Sequence, residues 1–208
     1  MDESEVAPRH VANTEPYAWP YDGDLDAGRF ALVVCGAQRR FAATSPRSTV
    51  VERTLAEVAG TIRAQGGRVV WVRHGRPATS PGPSQFLPTR DDPDWALLAP
   101  PAADDLVVDA AGWDGCYSSD LDHVLRSAGV RHVVLGGLAS ELTVDSTVRT
   151  LNDRGHECLV LTDGCAPLDE ALGARAHCSV TMSGGIFGAL GSADDLVTAL
   201  SRPLVTSL

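Results

Sequence analysis

His132-Val133-Val134-Leu135-Gly136-Gly137-Leu138-Ala139-Ser140-Glu141-Leu142-Thr143 is the stretch on which the fold turns. Its first five residues form an apolar run ending in glycine, which reads as a strand buried on both faces. Gly136-Gly137 then lets backbone approach closely at a turn. A helix is expected from about Glu141 to Asp153. Free N–H groups at such a helix start favour an anion or an oxyanion.

The same alternation extends outward in both directions. Phe30–Cys35 is a short apolar run, the first expected strand. Ser48 to Gln65 carries Val51, Leu55, Val58 and Ile62 at helical spacing and stops at Gly66-Gly67. Arg68–Val72 and Leu106–Val108 read as the second and third strands. Ser118 and Ser119 can cap a helix with Asp120 and Asp122 in its first turn. Leu121, Val124, Leu125 and Ala128 form its core stripe, and Gly129 ends it. After the 132–136 strand come a strand at Cys158–Leu161, a helix over Asp169–Val180, a short strand near Ile186-Phe187, and a helix over Ala193–Leu200. Apolar strands alternating with amphipathic helices imply an α/β three-layer sandwich, with a parallel sheet covered on both faces.

Two stretches break the pattern. Residues 1–28 are polar and turn-rich, and read as an N-terminal arm ahead of a domain spanning 29–208. Their aromatic part, Pro16-Tyr17-Ala18-Trp19-Pro20-Tyr21, is expected to pack on a neighbouring subunit or over this chain's own core. Residues 74–104 are rich in proline and lack periodicity, as a functional lid or a contact arm would be.

Composition narrows the function classes. At 208 residues and 44% hydrophobic content, the chain can bury a sizeable core. A net charge of −10 argues against nucleic acid as a partner. No apolar run reaches the roughly 20 residues needed to span a bilayer. Met1-Asp2-Glu3-Ser4-Glu5 is acidic and does not read as a signal peptide. Five cysteines at irregular spacing, without a CxxC, suggest free thiols in a reducing cytoplasm. The histidines are scattered, with His123 and His132 in ordinary helix or strand contexts, so neither a metal site nor a cofactor is expected. All 17 basic residues are arginine; lysine is absent.

In open parallel sheets, ligands bind at the carboxyl ends of strands where the strand order reverses. The segments expected there are Cys35-Gly36-Ala37-Gln38, Asp109-Ala110-Ala111-Gly112 and Gly136 to Thr143. Together with the Asp120-Leu121-Asp122 helix start, Asn152 to Cys158, and Gly184-Gly185-Ile186-Phe187-Gly188, they resemble the isochorismatase-like cysteine hydrolases. That superfamily includes nicotinamidases, ureidoacrylate amidohydrolases and biuret hydrolases, and the biuret and ureidoacrylate branch is the nearest in pattern. The resemblance covers nearly the whole chain from Pro16. It implies a six-stranded parallel sheet, assembly into dimers or tetramers, and an Asp-Lys-Cys catalytic set.

At the three matching positions this sequence has Gly36, Ala110 and Thr143. The family chemistry uses Asp to take the thiol proton, Lys to stabilise the thiolate, and Cys to attack an amide carbonyl. With all three replaced, the expectation is a catalytically silent protein. It would act as a partner or regulatory subunit, in a homo-oligomer or with an active paralogue, or as a binder of a small amide or ureide. The alternative is a hydrolase of C–N bonds with a rearranged site. The residues expected to line the ligand site are Gln38, Gly137, Leu138, Ala139, Ser140, Thr143 and Cys116. The resemblance also implies a cis Leu138–Ala139 peptide and an oxyanion hole from the Ala139 and Thr143 N–H groups. Loss of the Asp and Lys side chains predicts a wider, less polar pocket holding Gly36, Ala110 and Thr143. Asp109 and Cys35 should face away from it. Cys116 fits a small buried apolar residue, Glu141 a helix-start acid, and His74 a possible acid–base group. Arg73, Arg76 and Arg90 fit either a carboxylate clamp or solvated loop charges.

Overall fold

A computed structural model describes residues 9–78 and 86–201. At its centre is β1, Phe30–Cys35, with all six residues buried. Successive side chains of a strand point to opposite faces, and here each face meets apolar partners. Leu32 and Val34 pack with Val51, Leu55, Val58 and Ile62 of α2 (Ser48–Ala64). Ala31, Val33 and Cys35 pack with Leu121 and Leu125 of α3 (Leu121–Ser127) and with Val148 and Leu151 of α4 (Asp145–Asp153). A short helix, α1 (Arg39–Ala42), follows β1.

Five strands join β1: β2 (Arg68–His74), β3 (Leu106–Ala110), β4 (His132–Leu138), β5 (Glu157–Ala166) and β6 (Ala189–Gly191). Every pairing is parallel, in the order β3-β2-β1-β4-β5-β6. With α5 (Glu170–Gly185) and α6 (Ala193–Ser201), this is the six-stranded α/β sandwich read from the sequence. The chain builds outward from β1 to one side, then crosses to β4 on the other. The crevice at the carboxyl ends of β1 and β4 is therefore the topological switch point.

Local boundaries depart from the sequence reading at three places. The last strand lies at Ala189–Gly191, beyond the expected Ile186-Phe187. Met182, Ser183 and Gly184 leave helical geometry, and Ile186 is exposed in the turn that follows. Phe187 serves as a platform for the Arg149 guanidinium, 4.3 Å from its ring centroid. β5 runs on through polar Thr162 and Asp163, with a register shift against β4 between Leu135 and Gly137. The helix after β4 opens with one π turn, Ser140–Val144, ahead of α4.

The aromatic segment packs on this chain's own core. Trp19 is fully buried, edge-on to Phe30 at 5.2 Å and to His132 at 5.7 Å. Glu15 and Leu190 exchange backbone hydrogen bonds of 3.0 and 2.7 Å beside β6. Met1–Glu5 falls outside the described residues, as do residues 79–85 of the proline-rich loop. The described remainder of that loop lies across the carboxyl end of β1. Leu98 N–H donates to Ala37 O at 2.9 Å, and Arg39 N–H donates to Ala96 O at 3.0 Å.

Candidate active site

Two glycines set the geometry at the switch point. Gly36 follows β1 directly with φ +62°, and Gly137 near the end of β4 has φ +136°. A Cβ on Gly36 would run into the Leu138 carbonyl oxygen, and one on Gly137 into Cys35 O. The two strand ends therefore meet backbone to backbone, which only glycine permits. The ring of Phe41 lies 3.3 Å from the same Gly36 Cβ position. Thr143, fully buried in the π turn, donates its hydroxyl to Leu138 O at 2.7 Å. Gly36 and Thr143 thus converge on one carbonyl. The Leu138–Ala139 peptide is cis. Ser140 is buried beside them, its Oγ without a partner among the described residues.

Ala110 stands apart from this pair. It closes β3 in register with His74, so the whole width of β2 separates it from β1. It opens on a cleft of about 460 Å³ that is also lined by Arg76, Thr89, Arg90, Trp95 and Ser118, but by neither Gly36 nor Thr143. Among the described residues, the Ala110 cleft does not extend to Gly36 and Thr143. The space beside Gly36 holds the Leu138 carbonyl and an aromatic group instead. Phe41, Phe86 and Trp113 meet there at centroid distances of 5.5, 6.3 and 6.0 Å. These three rings come from α1, the proline-rich loop and the segment after β3. No periodicity links them in the sequence, and only the fold brings them together.

Gln38, expected to line the ligand site, is engaged by backbone groups. Its Oε1 accepts His74 N–H at 2.7 Å, and its Nε2 donates to Trp95 O at 3.1 Å and His74 O at 3.3 Å. Fully buried, it ties the end of β2 to the loop above. His74 is likewise buried, with Nδ1 3.0 Å from Gly112 O, so the ring proton sits on Nδ1. Burial pushes its pKa down to about 4, outweighing the Gly112 hydrogen bond, and the ring is neutral at pH 7.

The remaining candidates are occupied or inert. Asp109 pairs with Arg73 at 2.7 Å and with Arg90 at 3.3 Å. Arg73 also lies over the Trp95 ring at 5.1 Å, and Arg76 Nε donates to Leu87 O at 3.2 Å. Two of the three arginines therefore already share a carboxylate. Burial, then the nearby Asp114, pushes the Cys116 thiol up to about 12, and burial raises Cys35 as well. Neither is a thiolate at neutral pH. Glu141 does more than face a helix dipole: its Oε1 accepts Leu168 N–H at 2.9 Å and Asp169 N–H at 3.0 Å, bracing the β5–α5 connection.

The chain matches the isochorismatase domain family model over residues 30–188. A ureidoacrylate amidohydrolase of Methylorubrum extorquens is 29% identical over 191 residues, covering 74% of this chain and 76% of the relative. An uncharacterized isochorismatase family protein of Escherichia coli O157:H7 is 29% identical over 157 residues, covering 69% and 82%. Among solved structures, a cysteine hydrolase from Pseudomonas syringae superposes with a TM-score of 0.76 at 20% identity, covering 85% of this chain and 94% of that one. An N-carbamoylsarcosine amidase from Thermoplasma acidophilum gives 0.68 at 24% identity, covering 80% and 97%. At these identities the structures speak for the fold, while the family match spans most of the sheet and the glycine turn. The chain belongs to the isochorismatase-like hydrolase superfamily.

Proposed function

We propose that this chain is a catalytically silent member of its superfamily, acting as a partner subunit in an oligomer with itself or with an active paralogue. The observation that carries the reading is Thr143. Its hydroxyl is fully buried and already donated to the Leu138 carbonyl. Attack on an amide would require that proton to leave to a base. Gly36 supplies none, and a side chain there would collide with the same carbonyl. Absence of lysine from the sequence removes the ammonium that would steady an anionic nucleophile. The thiols of Cys35 and Cys116 are held protonated by burial.

The Ala110 cleft favours a second reading, a binder of small ligands without turnover. Relatives are named for ureidoacrylate and N-carbamoylsarcosine, which carry both a carboxylate and a ureido group. Arg76 offers charge for the first, Thr89 and Ser118 hydroxyls for the second.

The test is ammonia release from biuret, nicotinamide, ureidoacrylate and N-carbamoylsarcosine by the unmodified chain and by Thr143→Ala. Both are expected to stay at background. Turnover that vanishes in Thr143→Ala would make Thr143 a nucleophile and overturn the silent reading. Saturable thermal stabilisation by one of these compounds, with no ammonia released, would select the binder.

A further inference from the structure

At the amino ends of β4 and β5, opposite the Leu138–Thr143 region, three side chains from distant segments converge. They are Asp22 from the N-terminal segment, His132 at the first position of β4, and Glu157 at the first position of β5. One donor atom from each lies within 4.8 Å of the other two. We propose that Asp22, His132 and Glu157 form a binding site for a divalent transition-metal ion, with zinc the best fit to one imidazole and two carboxylates.

The distances support a metal over a plain ion pair. His132 Nε2 lies 3.3 Å from Asp22 Oδ1 and 3.5 Å from Glu157 Oε2. A charge-assisted N–H···O bond would draw in to about 2.7–2.9 Å. A tetrahedron with metal–ligand bonds of about 2.0–2.2 Å has edges of roughly 3.3–3.6 Å, which the two separations from His132 match. His132 is also under-satisfied as it stands. It is 1% exposed, and its Nε2 meets two carboxylates at poor hydrogen-bonding length. Buried imidazoles rarely remain so.

Ring packing holds the imidazole, and hydrogen bonds and an ion pair hold the two carboxylates. The rings of Trp19 and Phe30 pack edge-on to the imidazole. Glu157 Oε1 accepts Tyr21 N–H at 2.5 Å, leaving Oε2 turned toward His132. Asp22 Oδ2 pairs with Arg131 at 3.3 Å, and Oδ1 accepts Asp24 N–H at 3.0 Å while facing His132. The Asp22 side chain is 34% exposed, so a water can take the fourth position. The ion would clasp the N-terminal segment to two central strands, a role in stability that does not depend on whether the distant site turns over substrate.

The test uses untagged full-length chain carrying Cys178→Ser, because Cys178 is an exposed thiol that could itself bind zinc. Zinc is titrated calorimetrically, with the melting temperature followed in parallel. The expected result is one zinc per chain with a raised melting temperature, and affinity weakened about tenfold or more by Asp22→Asn or Glu157→Gln. Asp22 is exposed, so its variant tests the site even if the half-buried Glu157 change perturbs folding. Absence of zinc binding at 100 micromolar (about ten times a 10 micromolar protein sample), or binding unaffected by both variants, would overturn the proposal.

Discussion

Replacing Gly36 by alanine probes the backbone meeting that shapes the switch point. Two penalties add. An alanine at φ +62° sits in the left-handed region, at about 1–2 kcal/mol. Its Cβ also meets the Leu138 carbonyl oxygen, a backbone atom that cannot rotate away. Forcing the strand ends apart in a packed region costs about 1–3 kcal/mol more. The sum is about 2–5 kcal/mol, and at about 2–4 °C per kcal/mol for a domain of this size the melting temperature should fall by about 4–20 °C. Asparagine tolerates the left-handed region better than alanine but brings the same Cβ. Gly36→Asn should therefore recover about 1 kcal/mol relative to Gly36→Ala and no more. Urea denaturation of the two variants beside the unmodified chain separates the contributions. If both lie within about 0.5 kcal/mol of the unmodified chain, the collision is not real and the argument from Gly36 fails. The same reasoning bears on reactivation. Gly36→Asp, Ala110→Lys and Thr143→Cys together should yield an unstable protein before they yield an enzyme.

Gln38→Leu should cost about 1–3 kcal/mol, because the His74 N–H is left buried and unpaired; urea unfolding at neutral pH measures it. Thr143→Cys should bring no amide hydrolysis in the ammonia assay, since the new thiol gains neither a base nor a cation. His74 makes stability depend on pH. Its folded pKa of about 4 lies below the ordinary 6.5, so below pH 6.5 the unfolded chain takes up a proton that the folded chain refuses. The contribution is complete above pH 6.5 and is lost as pH falls toward 4, by about 2 kcal/mol between pH 6.5 and 5. Urea midpoints at those two pH values should differ more for the unmodified chain than for His74→Leu, and equal differences would contradict it.

The sheet was legible because its strands are short apolar runs bounded by glycine, and the α2 stripe of Val51, Leu55, Val58 and Ile62 is buried as its spacing requires. The last strand was misplaced because Ile186 and Phe187 look like strand residues but spend their apolar surface on a turn and on Arg149. The site was legible in part. Local motifs located Gly36 and Thr143, yet strand order decides that β2 stands between Ala110 and Gly36. Nothing in the sequence around Phe41, Phe86 or Trp113 announces that they meet, since their proximity depends on how two loops cross the sheet. His132 read as an ordinary strand residue, because its neighbours Asp22 and Glu157 are remote in the chain.

The pairing of Glu15 with Leu190 has a consequence for synthesis. Arg9 reaches the same end of the chain, donating to Ala199 O at 3.1 Å across a separation of 190 residues. A ribosome adding about 5–20 residues per second needs on the order of 10–40 s to make that interval. Throughout it, the segment carrying Trp19 has Phe30 within reach early but lacks the β6 edge it finally borders. The nascent protein must therefore keep a tryptophan-bearing strip from wrong partners until its own last strand emerges, and this is the interval in which a chaperone would find it.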